Sequence, residues 1–586
     1  MTRFDPATED FVWLLRHVVS TQDILTSDVD LDTLEQVIDT AASFIGDRIA
    51  PINAASEEVG VSMVDGRVVT PPGWRGAWRE WGEGGWAGLA MPADHGGQAM
   101  PFLAQAVVAT MLGAADVAFA MVSASARGAA SVLAAHGSDA QKGTCLPRLA
   151  SGEWTATIVI TEPQAGSDVG LIRTKAVPQA DGSHALSGTK IFISGGDHDL
   201  SEQILHIVLA RVEGAAPGVK GLTLFLVPSR HFDADGTLGD HNGVRASRIE
   251  EKMGLHGSAT CVLDLEAAQG FQIGAEGQGL GALFVMMNEL RLEVALSAVG
   301  LCAGATRHAE AYAQERLQGR DLSGKGPAAI SGHPDVRRML DIMAALTEGG
   351  RALILEAARL VDLDQHGETP DIRRDAADRL AWLLPICKAA LSDNALDVTN
   401  HGIQIRGGHG YVRESGAEQF YRDARVLPIY EGANGIHAGA LATRGLQKDG
   451  GASARAFIDL MQADVDATAG EAAVQAIRAC LEDGIAGFRA TTEMLLTRAE
   501  QAEAVLLVSY DYITLAGRLA LAWMWLRMAA ADVPADDALI GHKRRIAAFY
   551  ALHYGPEMAM LVARIAAKMN DMNAGRAATA TQPALV

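Results

Sequence analysis

Between residues 154 and 272 the texture of the chain changes, and that change limits the folds open to it more than any other feature. Residues 155–161, 184–193, 204–212, 222–227 and 260–265 are short runs rich in Val, Ile, Leu, Thr and Phe, parted by clusters of Gly, Pro, Asp and Ser. Such spacing predicts an antiparallel β domain. On either side the period becomes helical. Leu31, Leu34, Ile38, Ala41, Phe44, Ile45 and Ile49 recur at helical spacing until Pro51 stops the run, and similar helices follow to about Leu149 around a Gly/Pro-rich break at 86–97. Segments 280–316, 333–365 and 373–401 are long, rich in Ala and Leu, and poor in breakers. After a linker-like stretch at 447–452, residues 454–572 are expected to form about four more helices, with a frayed tail from 573. The reading is an α+β fold with four parts: an N-terminal α domain (1–153), a middle β domain (154–272), an α-bundle domain (273–446) and a C-terminal helical extension (452–572).

At 586 residues the chain is too long for one core, and its net charge of −22 disfavours indiscriminate binding to nucleic acid or to anionic membrane. The most apolar stretch, 515–528, is interrupted by Arg518 and Arg527, so no membrane span is expected. The acidic start lacks the pattern of a secretory signal and Pro583, Ala584, Leu585 and Val586 make no peroxisomal address, which leads to a cytoplasmic expectation. Five scattered cysteines include no Cys-x-x-Cys pair, and His198 with His206, or His401 with His409, lack partners at ligand spacing; no metal is expected.

Three stretches carry candidate chemistry. In 420–437 an apolar run, Val426, Leu427, Ile429 and Tyr430, leads directly to Glu431, then Gly432, Ala433, Asn434 and Gly435. A carboxylate among apolar side chains gains proton affinity towards that of a general base, and glycine allows a ligand close to the backbone. The alternative is a glutamate at a strand end ahead of a helix. In 159–169 a strand delivers Thr161 to a turn exposing Gly166, Ser167 and Asp168, suited to a polar or phosphate-bearing ligand. In 188–196 a second strand ends with Phe192 as an apolar platform and Ser194 beside two glycines. Each alone is also compatible with an ordinary strand end. A loose Gly-x-Gly-x-x-Ala at 277–282 lacks the second parallel strand that a dinucleotide fingerprint needs.

Together these stretches resemble the acyl-CoA dehydrogenase family. Its motifs stand in family order over roughly 30–445: Met91-Pro-x-x-x-Gly-Gly97, Thr161-Glu-Pro-x-Ala-Gly-Ser-Asp168, Gly188-x-Lys190, Lys252-Met-Gly254, Glu315-Arg316, Gln404-Ile-x-Gly-Gly-x-Gly410, Arg422-Asp423 and Ile429-Tyr-Glu-Gly432. The resemblance implies FAD as cofactor. Thr161 and Ser194 would bond its ring edge, Phe192 would pack on the ring, and Gly166 and Ser167 in the adjoining turn would also contact the cofactor. Arg316 would reach the FAD of a neighbouring subunit, with Gln404, Gly407 and Gly408 at the adenosine and pyrophosphate end. Ser167 and Arg291 would contact the CoA part of the substrate, and Glu431 would remove the α-proton. Its backbone N–H, beside Gly432, would help polarise the thioester.

Some relatives carry the base beside the arginine matching Arg291, where this chain has Leu290 preceded by Glu289. That favours Glu431. Ala433, Gly435 and Phe192 depart from the threonine, glutamine and tryptophan common in the family. The extension resembles that of long bacterial members acting on 3-(methylthio)propanoyl-CoA, and of very-long-chain enzymes. The extension implies a homodimer, and the family resemblance implies electron-transfer flavoprotein as acceptor. Medium- or long-chain acyl-CoA remains an alternative substrate, an acyl-CoA oxidase an alternative enzyme, and a DNA-associated flavoprotein an alternative role. Against the last, residues 451–586 hold 12 Lys and Arg to 15 Asp and Glu, despite the basic trio Lys543, Arg544 and Arg545.

Overall fold

The computed structural model describes residues 4–25, 29–534 and 536–580, with side chains as far as Asp571, and the chain divides into two compact units. One comprises residues 37–293; the other comprises the residues before 37 and from 294 onward.

The core of the 37–293 unit is a seven-stranded sheet: β1 (Thr155–Val159), β2 (Lys175–Pro178), β3 (His184–Ser194), β4 (Ile204–Val212), β5 (Leu222–Pro228), β6 (Val244–Ile249) and β7 (Thr260–Ile273). Its order is β6-β7-β3-β2-β4-β1, and β5 pairs with both β7 and β4, so β7, β3, β2, β4 and β5 close a ring. Pairing is antiparallel except that β1 and β2 each run parallel to β4. Apolar periodicity does not encode strand direction, so the antiparallel expectation misses these two pairs. It also misses β2 and β6 themselves, whose Lys175, Arg245 and Arg248 dilute the apolar signal. Strand β4 reads as a continuous apolar run because both its faces are covered. Leu205, Ile207 and Leu209 point into a cluster with Trp154, Leu133 and Ala129, whereas Val208, Ala210 and Val212 join Ile193, Phe225 and Leu263. Around the sheet run the helices Phe102–Ala115 and Val117–His136; Asp116 caps the second by accepting the Phe119 N–H at 3.0 Å.

The second unit is helical. Pro334–His366 and Pro370–Arg406 both start on a proline, whose missing N–H costs nothing in a first turn. The extension forms the four expected helices, Ala452–Ala467, Gln475–Thr497, Ala502–Ala529 and Ile540–Ala580, the last running into the tail expected to fray, of which 581–586 lie outside the described residues. No loose linker separates this extension from the bundle. Gly517 lies so close to Ala390 that an added Cβ would stand 2.4 Å from the Ala390 Cβ, and the Trp525 indole donates to the Ala345 carbonyl at 2.9 Å. Val117–His136 and Ala502–Ala529 are long and apolar enough to cross a membrane, and 78% and 67% of their most apolar windows are buried in protein. They are core helices of their units.

Candidate active site

In the 37–293 unit the C-terminal ends of β1 and β3 meet on one rim. The Ile191 N–H donates to the Thr161 carbonyl at 2.9 Å, and the Thr157 hydroxyl to the Ser194 carbonyl at 2.6 Å. The register between β3 and β7 slips between the pairs Lys190–Leu263 and Ile193–Cys261, a bulge that places Phe192 in the left-handed region at φ +59°, the residue 63% exposed. Bulges re-aim side chains next to functional sites, and a left-handed aromatic residue carries a conformational cost that packing elsewhere must offset. Thr161 and Ser194 lie half-buried on the same rim, while Gly166 and Ser167 are exposed in the turn that follows Thr161.

Glu162 and Lys190 stand within two of the family motifs without an assigned role, and in the structure they anchor that rim. The Lys190 ammonium, fully buried, lies 2.9 Å from the Glu162 carboxylate and donates to the carbonyls of Ile160 and Leu209. Glu162 also accepts from the N–H groups of Arg173 and Thr174 and from the Thr174 hydroxyl. Burial opposes its charge, but Lys190 and these donors outweigh burial and hold it at about 2; burial pulls Lys190 down to about 8 against the pull of Glu162.

Further along, Arg291 is half-buried and donates to the Asn288 side chain at 3.1 Å. Its neighbour Leu290 is buried. Glu289 is held by the Ser131 hydroxyl, and burial raises its pKa.

In the second unit the apolar run before Glu431 is not a strand but a series of turns following the helix Ala417–Ala424. Glu431 is half-buried rather than enclosed: Ile429 and Ile436 are 55% and 53% exposed. Its backbone is left-handed at φ +55°, and Gly432 follows at +88°. The loop closes on itself through the Asn434 N–H to the Pro428 carbonyl at 3.0 Å, and His437 Nε2 lies 3.1 Å from the Glu431 carbonyl oxygen. Beneath it Lys388, fully buried, donates to the Gly432 carbonyl at 2.8 Å and to Asn434 Oδ1 at 2.9 Å. A lysine inside the apolar run Leu384, Pro385, Ile386, Cys387 was the signal available for it.

At another place on this unit, Gly407 closes the helix Pro370–Arg406 with φ +57°, donating to the Gln404 carbonyl. No atom lies within 4 Å of where a Cβ on Gly407 or Gly408 would be, so both backbones stay open to a ligand. Arg406 stacks on Tyr312 at 4.7 Å, which ties this helix end to that of Gly279–Glu315, just beyond which Arg316 is exposed and donates to Gln318. Gln404, Gly407, Gly408 and Arg316 thus stand at neighbouring helix ends. The basic trio of the extension is engaged within the protein: Lys543 with Asp10 and Glu348, Arg544 with the Ala529 carbonyl, Arg545 with Asp341. Among the described residues no group of three His, Cys, Asp or Glu could hold a metal ion.

Family models for the acyl-CoA dehydrogenase N-terminal, middle and C-terminal domains match residues 32–153, 157–293 and 277–446, and an acetyl-CoA dehydrogenase C-terminal-like model matches 457–574. The chain is 39% identical over 501 residues to 3-methylmercaptopropionyl-CoA dehydrogenase of Ruegeria pomeroyi, covering 85% of each protein. The chain belongs to the acyl-CoA dehydrogenase family. This dehydrogenase is also 33% identical to the broad-specificity linear acyl-CoA dehydrogenase FadE5 of Mycobacterium tuberculosis, over 90% of its own length and 91% of the relative's. An acyl-CoA dehydrogenase from Bacillus anthracis solved with FAD shares the fold, at TM-score 0.76 and 21% identity, over 95% of this chain and 91% of that one. The dehydrogenase acts on acyl-CoA thioesters, and its extension is a domain of the family.

Proposed function

We propose that the protein is an FAD-dependent dehydrogenase whose substrate is 3-(methylthio)propanoyl-CoA, with Glu431 as the base. The observation that carries the site reading is backbone geometry. Among the described residues, the non-glycine positions at positive φ include both Phe192, the candidate for ring packing, and Glu431, the candidate for proton removal. Strain of this kind collects at functional sites because the surrounding structure has to maintain it.

The residues present suit FAD. Phe192 offers an exposed aromatic face, and Thr161 and Ser194 offer hydroxyls on the same rim. Arg316, Gln404 and the open backbones of Gly407 and Gly408 suit the polar, phosphate-bearing end. Ser167 and Arg291 would hold the CoA part of the substrate. Bound FAD supplies a sink for the β-hydrogen and its electron pair. Glu431 takes the α-proton onto its carboxylate, leaving the C–H electrons to form the α,β double bond of a trans-2-enoyl-CoA. The Glu431 backbone N–H, at the left-handed turn before Gly432, would donate to the thioester oxygen as negative charge develops there.

The substrate rests on the 39% identity to the Ruegeria pomeroyi enzyme, against 33% to the broad-specificity linear enzyme. Electron-transfer flavoprotein is the proposed acceptor, a homodimer the proposed assembly, and the cytoplasm the proposed compartment. Anaerobic flavin bleaching with 3-(methylthio)propanoyl-CoA and C4 to C16 acyl-CoAs tests the substrate. The thioether should reduce the flavin fastest at equal concentration; faster reduction by a linear chain of any length would replace it as the substrate.

A further inference from the structure

The Glu431 loop rests on a chain of hydrogen bonds that begins at the buried Lys388 and Asn434 and ends at the exposed face of the C-terminal extension. Lys388, and one turn later Ser392 and Asp393, lie on the helix Pro370–Arg406. Asn434, 2% exposed, presents its amide to all three: Oδ1 accepts from Lys388 at 2.9 Å, and Nδ2 donates to Ser392 Oγ at 3.0 Å and to Asp393 Oδ1 at 2.9 Å. The other Asp393 oxygen accepts the Tyr510 hydroxyl at 2.8 Å, and Tyr510 stands on the extension helix Ala502–Ala529. One turn earlier on that helix Leu506 packs so close to Gly439 that a Cβ there would lie 3.1 Å from it, and two turns later Arg518 donates to Asn394 at 2.7 Å. The extension therefore grips the two segments that support the loop, the helix bearing Lys388 and the short helix Asn434–Ala440.

We infer that the extension positions the catalytic loop, with Tyr510, Asp393 and Asn434 as positioning residues that fix Lys388 against the Gly432 carbonyl and so maintain the left-handed turn at Glu431. The inference rests on the reading of Glu431 as the base, and it assigns the extension a role in the reaction. A buried lysine needs its donors satisfied, and here an amide oxygen and a carbonyl supply the acceptors. The Asn434 NH2 is held in that orientation by Asp393 together with Ser392 and the Ala389 carbonyl at 3.2 Å, and Tyr510 orients Asp393. Partial desolvation and the Asp393 charge push the Tyr510 phenol up to about 12, so it remains the donor at neutral pH.

The test is Tyr510→Phe and Asp393→Asn in the full-length holoenzyme, with hydrogen exchange of residues 428–437 measured beside the anaerobic rate of flavin reduction. Loss of one hydrogen bond to a carboxylate, transmitted through Asn434, is expected to speed exchange in the loop by roughly 3- to 10-fold and slow reduction by about 5- to 20-fold. Acyl-CoA affinity and FAD content should stay within about twofold of wild type, and the double variant should be no worse than the worse single variant, as for residues acting in one chain. Because Tyr510→Phe removes only an exposed-side hydroxyl, it keeps the test decisive should Asp393→Asn fold poorly. Loop exchange equal to wild type in Tyr510→Phe overturns the inference. A fully active Glu431→Gln overturns the base reading instead, and the exchange result still decides whether the extension positions the loop.

Discussion

Removing Glu162 or Lys190 singly should damage the β unit far more than removing both. The structure gives the reason. At ~1.36 kcal/mol per decade of proton affinity, holding Glu162 at about 2 rather than 4.5 stabilises the fold by roughly 3 kcal/mol at neutral pH, and depressing Lys190 from 10.5 to about 8 costs a similar amount. Both shifts contain the one Glu162–Lys190 attraction, so they do not add as independent gains; the cost of burying two charges largely offsets that attraction, as in many buried ion pairs, whereas either member left alone is a buried charge without its partner. Glu162→Gln and Lys190→Met are each expected to cost about 3–5 kcal/mol, while the double variant should lie within ~1 kcal/mol of wild type. At roughly 2–4 °C per kcal/mol for a unit of this size, each single variant should melt about 10 °C lower, and the double variant only slightly lower. The assay is thermal unfolding at pH 7 with FAD at one saturating concentration throughout. The signs with pH also follow. Glu162 contributes fully above about 4.5 and loses its contribution as pH falls towards 2; the Lys190 penalty, present below about 8, is relieved as pH rises from 8 to 10.5. A double variant as unstable as the single ones, or single variants melting like wild type, would refute this reasoning.

Three further outcomes follow from individual positions. Gly432→Ala places a Cβ 2.8 Å from His437 Nε2 at φ +88°, so kcat should fall at least about tenfold while the protein stays folded, measured by steady-state kinetics beside circular dichroism. Phe192→Gly relieves a left-handed strain of about 1 kcal/mol but removes the aromatic face; the apo-protein should melt no lower, while FAD titration shows at least about tenfold weaker binding. Burial pushes the Asp116 carboxyl up to about 7, so its ionised form destabilises the fold increasingly as pH rises from 3.8 to 7. Asp116→Asn keeps the cap to Phe119 and should therefore melt higher than wild type at pH 8, with the gain shrinking at pH 5, read by thermal scans at both values.

Much of this architecture is written in local periodicity. The long helices at 279–315, 334–366 and 370–406 and the strands at 184–194, 204–212 and 222–228 were legible because their apolar residues repeat at the period of the element. Strand 244–249 was not, because it lies at the sheet edge with Arg245 and Arg248 exposed. Strand direction, the closing of the ring through Leu222–Pro228 and the bulge at Phe192 are properties of pairing, which single-chain periodicity does not contain. The candidate site divides in the same way. Glu431, Phe192 and the glycines at 407 and 408 were marked by residue type beside turn signals, yet the turns ahead of Glu431 were read as apolar enclosure. Lys388, Asn434, Asp393 and Tyr510 come from three separate segments, and only the packing of the extension against the bundle brings them together.

The most direct test of the central claim is single-turnover flavin reduction by 3-(methylthio)propanoyl-CoA without oxygen, comparing wild type with Glu431→Gln at equal FAD content. Rapid bleaching of the wild type, with a variant that binds acyl-CoA but is slowed at least about a thousandfold, is the predicted result. A variant that bleaches at the wild-type rate would contradict the account and move the base to another residue.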